Sequence, residues 1–181
     1  MGRPPRQSSS DASLLRRVAR GDEPAFAELV RRHEARFFRV AHRILGDPRD
    51  AEDAVQLAYL RVFRKASDYR AEWAASPWIY RVLTNVCIDV WRKRRRQSAG
   101  CDDREIEAIA GQAPSRSARI DLRRALARLS PEMRAVVVLR FSEDLSYDDI
   151  ARARGVSVNT IKTQLARAKK VLRAQLQGGE R

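Results

Sequence analysis

The residue types between positions 150 and 173 point to one chemistry. That span carries seven cations (Arg152, Arg154, Lys162, Arg167, Lys169, Lys170 and Arg173) and no carboxylate. Guanidinium and ammonium groups in an acid-free run suit phosphate oxygens, which dominate the affinity of proteins for nucleic acid. On a helical wheel, Ile161, Leu165, Ala168 and Leu172 share one face. Asn159, Thr163, Arg167 and Lys170 fall on the opposite one, with Thr160 and Lys162 at its edges. Before this helix comes "DDIARAR", and between them Gly155 suits the left-handed conformation that ends helices. Ser157 can cap the second helix. Helix, glycine turn and a second helix with a polar outer face describe a helix-turn-helix. Such a second helix sets its first turns against base edges in the major groove. The candidate duplex-reading residues are therefore Ser157, Asn159, Thr160, Lys162, Thr163, Arg167 and Lys170. The bland alternative is an amphipathic hairpin with a solvated basic face. The β-branched residues of "GVSVNTIKTQL" favour a strand locally, but the apolar stripe of Ile161 and Leu165 overrides that preference.

A second basic feature is "WRKRRR", residues 91–96, at the end of another helical pattern. Part of it complements a helix dipole. Five consecutive cations exceed that need. Ahead of them, "SDYRAEWAASPWIYRVLTNVCIDVW" interleaves aromatic and basic residues, as single-stranded nucleic acid requires for base stacking and phosphate attraction. Trp78 and Tyr80 open an amphipathic helix and fit a core. Tyr69 and Trp73, in a loop, are freer to meet a ligand.

Catalytic signatures are missing from the sequence: there is no P-loop, HExxH or paired CxxC. His33 and His42 stand nine residues apart and read as surface or boundary residues. Asp47, Asp50, Glu52 and Asp53 gather at a helix start, where capping explains them. Cys87 falls in an apolar pattern and Cys101 in a polar one, so no disulfide framework follows. No metal, cofactor or catalytic residue is expected.

These stretches need elements to position them. Asp22 before "EPAF", Asp47-Pro48, Ser76-Pro77 and Ser130-Pro131 are cap-then-proline starts, and Ser146 with Asp149 resembles a capping box. Helices are predicted near 11–20, 23–45, 48–66, 77–96, 118–129, 131–142, 147–154 and 158–176. The fold expected is all-α: two helical domains joined by a flexible linker, the C-terminal one containing the helix-turn-helix. Residues 1–10 read as a disordered tail, 11–96 as the first domain, 97–117 as the linker and 118–177 as the second domain. "AVVVLRF" is the best strand candidate, but its Ser130-Pro131-Glu132 start argues for a helix. Across 181 residues, 37 Lys and Arg against 23 Asp and Glu give a formal charge of +14, which selects a polyanionic partner. No apolar run reaches the roughly 18 residues of a membrane span, and a cytoplasmic location without membrane insertion is expected.

Three stretches together resemble a bacterial RNA polymerase sigma factor of the extracytoplasmic-function type, from about Asp11 to Leu176. "DAEDAVQLAYLRVF" is similar to the family's helix for core polymerase. "SPWIYRVLTNVCIDVWRKRRR" is similar to its helix for the −10 element. "LSPEMRAVVVLRFSEDLSYDDIARARGVSVNTIKTQLARAKKVL" is similar to its −35 domain. The resemblance implies polymerase contacts from Asp50, Asp53, Gln56, Leu57, Tyr59 and Leu60, with Leu57 where the family usually has an acidic residue. It implies −10 contacts from Tyr69, Arg70, Trp73, Trp78, Asn85, Arg92, Arg94 and Arg95, within or after a base-capturing loop at 67–76. It implies −35 reading by the residues already named on the second helix. Implied partners are core RNA polymerase, promoter DNA (duplex at −35, melted at −10) and an anti-sigma factor. The acidic "CDDREIE" would mimic nucleic acid on the RNA exit path. Rival readings are a stand-alone operator binder, for which the "DAEDAVQ" helix has no use, and a nucleic-acid enzyme, for which metal and nucleophile motifs are missing.

Overall fold

The computed structural model describes residues 10–70, 72–98 and 125–177. Among them every regular element is helical. The first domain contains α1 (Asp11–Val18), α2 (Glu23–Leu45), α3 (Pro48–Lys65), a 3₁₀ turn (Ala66–Asp68) and α4 (Ala75–Ser98). After a helical turn at 125–127 come α5 (Pro131–Phe141), α6 (Tyr147–Arg154) and α7 (Val158–Gln177). The tail at 1–9, most of the predicted linker, the acidic stretch and Cys101 lie outside the described residues.

The expected caps hold these boundaries. Asp22 accepts from the Ala25 amide at 2.9 Å, and Asp47 from the Arg49 and Asp50 amides. Ser130 and Ser146 cap α5 and α6 through Met133 and Asp149. The Ser146 hydroxyl also donates to the Asp149 carboxylate, closing an Asp version of the capping box. One start differs. Helix α4 begins at Ala75, so Ser76 lies inside its first turn rather than before it. Pro77 tolerates this because amides in the first turn lack an intrahelical acceptor anyway.

Phe37 of α2 is fully buried at the centre of the first domain. It stacks on Tyr59 of α3 (ring centroids 5.1 Å apart) and leans on Tyr80 of α4 at 5.9 Å. His33 is a correction: it is buried rather than at the surface, with Nε2 2.7 Å from Asp11 Oδ2. That partner arrives from α1, 22 residues away, and no local pattern announces it. His42 is half-buried and stacks on Phe38. Cys87 is buried in α4, as its pattern predicted, and burial pushes its thiol up to about 12.

"AVVVLRF" forms helix, not strand. In α5, Ala135, Val136, Val137, Val138 and Leu139 are all buried. A helix apolar nearly all round must be covered on several sides. Here α6 and α7 cover one side and α2 and α4 the other, and α6 also lies against α4. The second domain is thus seated on the first.

Candidate nucleic-acid interface

Gly155 ends α6 at φ +67°, and its amide returns to Arg152 O. A side chain would be strained there. The chain then turns into α7, where Ser157 Oγ accepts from the Thr160 amide at 3.1 Å. Ile161, Leu165 and Ala168 are buried against the rest of the domain. Asn159, Lys162, Thr163, Arg167 and Lys170 are exposed. Lys162, Arg167 and Lys170 form no ion pair with any described residue. The geometry is a cationic and hydrogen-bonding stripe held outward by an apolar one. Thr160 is half-buried, and its hydroxyl meets Ser157 Oγ at 2.9 Å. Thr163 donates to Asn159 O at 2.9 Å. Of the remaining cations in the run, Arg152 pairs with Asp149, Lys169 lies over the Phe141 ring, and Arg154 turns inward to the first domain. The outward face is narrower than the seven cations suggested.

The candidate single-strand residues of the first domain divide differently. Trp73 is 37% exposed, with the Arg70 guanidinium 5.9 Å from its ring centre. Tyr69 is a correction, because it is buried rather than free in its loop, whereas Trp78 is buried as its amphipathic pattern allowed. Tyr69 donates its hydroxyl to Trp73 O at 2.7 Å and meets Trp78 edge-on, so neither ring offers a face to a base. They buttress the loop that displays Trp73. Asn85 is exposed on α4 but accepts from Arg154 at 3.3 Å. The cationic tail of α4 is engaged as well. Arg92 pairs with Glu132, Arg94 with Asp50, and Arg95 lies 5.4 Å over the Trp91 ring. A cleft of about 340 Å³ between the domains is lined by Arg61, Asn85, Ile88, Asp89, Arg92 and Arg154.

On α3, Asp53, Gln56, Leu57 and Leu60 face solvent, with Leu57 43% and Leu60 54% exposed. Phe63, 40% exposed, extends this apolar face by one more turn. The spacing Leu60 to Phe63 was the signal for it. Tyr59 is a correction: it is buried, stacked on Phe37, and its hydroxyl reaches Val30 O. Asp50 is half-buried and committed to Arg94.

Fold and surface define a two-domain helical protein whose second domain presents a helix-turn-helix. Its sequence matches the family model for Sigma-70 region 2 over residues 29–97 and that for Sigma-70, region 4 over residues 119–172. It is 36% identical over 165 residues to the ECF RNA polymerase sigma factor SigM of Mycobacterium tuberculosis, covering 91% of this chain and 83% of that one. To SigE of Mycolicibacterium smegmatis it is 34% identical, over 87% of this chain and 65% of the longer relative. In fold it is similar to CnrH, solved in complex with the cytosolic domain of CnrY (TM-score 0.71, 24% identity, 95% of this chain and 100% of that one). It is also similar to the sigma factor RpoE of Bartonella quintana, solved with the anti-sigma factor NepR (TM-score 0.65, 21% identity, 86% of this chain and 98% of that one). The chain belongs to the ECF-type RNA polymerase sigma factors.

Proposed function

We propose that this sigma factor divides its work among three surfaces. The exposed face of α3 (Asp53, Gln56, Leu57, Leu60 and Phe63) docks on core RNA polymerase. The outward stripe of α7 enters the major groove of the −35 element. Arg167 and Lys162 there reach base edges, and Lys170 holds phosphate. Arg70 and Trp73, with Asn85 and the basic end of α4, engage the melted −10 strand. The chain directs polymerase to its promoters and performs no catalytic step itself; it acts in the cytoplasm, where polymerase and promoter are. An anti-sigma factor is a fitting partner for the same surfaces. Residues 11–96 and 118–177 act as the −10 and −35 domains, with 97–117 as the tether.

One observation carries this reading: the α7 stripe is exposed, cationic and free of ion pairs within the described residues, on a helix whose other face is packed through Ile161, Leu165 and Ala168. Run-off transcription with core polymerase on a matched promoter tests it. A transcript that requires the chain is expected, and Leu60→Asp should abolish it while leaving the helical content unchanged. A transcript of equal yield without the chain would sink the reading.

A further inference from the structure

Three arginines from three helices converge on the cleft between the domains. Arg61 belongs to α3, Arg92 to α4 and Arg154 to α6. Asn85, Ile88 and Asp89 of α4 complete the lining of this space of about 340 Å³. Each guanidinium uses only one nitrogen on the protein. Arg61 donates from Nη1 to Asp89 at 3.0 Å, and Arg92 from Nη2 to Glu132 at 3.0 Å. Arg154 donates from Nη1 to Asn85 Oδ1 at 3.3 Å and to Thr84 Oγ1 at 3.4 Å. A guanidinium carries its donors on three nitrogens in a fixed fork. The other nitrogens of these three arginines have no partner among the described residues. Arg154 makes no ion pair there at all. Burial lowers its pKa, Glu132 raises it, and the Arg92 charge lowers it again. Asn85 is exposed and lends Arg154 its acceptor, which leaves its amide NH2 free to donate.

This lining fits one ligand chemistry. No aromatic ring borders the cleft, and Ile88 is its only apolar side chain. It offers no platform on which a base could stack and no surface for an apolar ligand. Its volume lies at the lower end of ligand sites, which run from about 300 to about 1,000 Å³. Forked donors converging from several sides match the oxygens of tetrahedral phosphate, and each fork can bind two of them. We propose that the cleft binds a small multivalent phosphate anion, of the size of pyrophosphate, through Arg61, Arg92, Arg154 and the Asn85 amide. Asp89 is the one carboxylate in the lining, and Arg61 holds it. That pair and the Arg92–Glu132 pair lie at the surface, where ion pairs contribute little. A phosphate can therefore draw on the same guanidiniums. Arg61 and Arg92 come from the first domain and Arg154 from the second, so a bound anion ties the two together. The site does not depend on the promoter assignments above.

Isothermal titration of sodium pyrophosphate into the full chain, at constant ionic strength, tests the site without polymerase or promoter. Saturable binding of one anion per chain is expected. Arg154→Gln and Arg61→Gln should each weaken it at least tenfold. Asn85→Asp, at an exposed position that keeps its Oδ1 for Arg154, should do the same by setting a carboxylate against the anion. Lys170→Gln, which removes an equal charge from α7, should change it less than twofold. Thermal melts followed by circular dichroism check that each variant folds. Pyrophosphate should raise the wild-type midpoint and leave that of Arg154→Gln in place. Absence of saturable binding overturns the proposal. So do equal losses in Lys170→Gln and Arg154→Gln, which would mark a diffuse surface effect. A short single-stranded oligonucleotide separates the two sources of phosphate. If its binding falls tenfold in Arg154→Gln while pyrophosphate does not bind, the cleft holds a nucleic-acid backbone and the small-anion site is overturned.

Discussion

Helices α4 and α7 are alike in plan and unlike in state. Each is long, each buries one stripe, and each carries arginines and lysines. On α7 the outward side chains Asn159, Lys162, Thr163, Arg167 and Lys170 are exposed. On α4, Asn85 holds Arg154, Arg92 holds Glu132 and Arg94 holds Asp50. Cation count alone therefore does not locate a nucleic-acid surface. What matters is whether the charges already have partners. The α7 face can stay open because its exposed cations are solvated by water and leave no charge buried without a partner. In this structure α4 stays exposed at Asn85 and Arg92, but both side chains are engaged by residues of the second domain.

Mutations can break or sharpen that contrast. The largest expected effect is on stability. Phe37→Ala should cost about 3–5 kcal/mol by opening a cavity beneath α4. Ile161→Ala should cost about 2–5 kcal/mol beneath α7. Urea melts read both, and losses under 1 kcal/mol would deny that these residues anchor the two helices. Next comes Arg167→Ala, expected to weaken −35 binding by about 1–3 kcal/mol and to relax base preference at one position. Binding assays across single-base variants of the element check it. Ser157→Ala, which removes the α7 cap, should cost about 1 kcal/mol of stability in thermal melts. Lys170→Ala should weaken all sequences alike and lower the slope of log affinity against log salt by about one. A salt titration separates it from Arg167→Ala.

The smallest effect concerns pH. Burial raises the Cys87 thiol from 9.0 to about 12. An acid with a raised folded-state pKa contributes its stability fully below its unfolded value, near pH 9, and loses it as pH climbs toward 12. The wild-type chain should lose stability over that window more steeply than Cys87→Ala. Parallel curves would show that the thiol is not held neutral by burial.

Much of this was legible in the sequence, for a local reason. Caps, prolines and glycines act within four residues, so Asp22, Asp47, Ser130, Ser146 and Gly155 announced their helices before any tertiary contact was known. The α7 stripe was legible because the helical period alone sorts Ile161 and Leu165 from Asn159 and Arg167. Tertiary partners were not. Tyr80 and Glu143 are 63 residues apart, and Arg134 and Ile44 are 90 apart. Arg134 lies inside "PEMRAVVV", and nothing local said that it would be buried or which carbonyls would receive it. Tyr59 and Tyr69 misled for a related reason. An aromatic ring suits a core or a base equally well, and only the packing of Phe37 and of the 67–76 loop decides between them.

The central claim is that α7 chooses the promoter. Run-off transcription by core polymerase over a library of −35 variants tests it most directly, comparing wild type with Arg167→Ala and Lys170→Ala. The account predicts that transcripts depend on the chain and come from a narrow set of −35 sequences. Arg167→Ala should broaden that set, while Lys170→Ala lowers yield uniformly. Identical −35 preferences in all three proteins would contradict it.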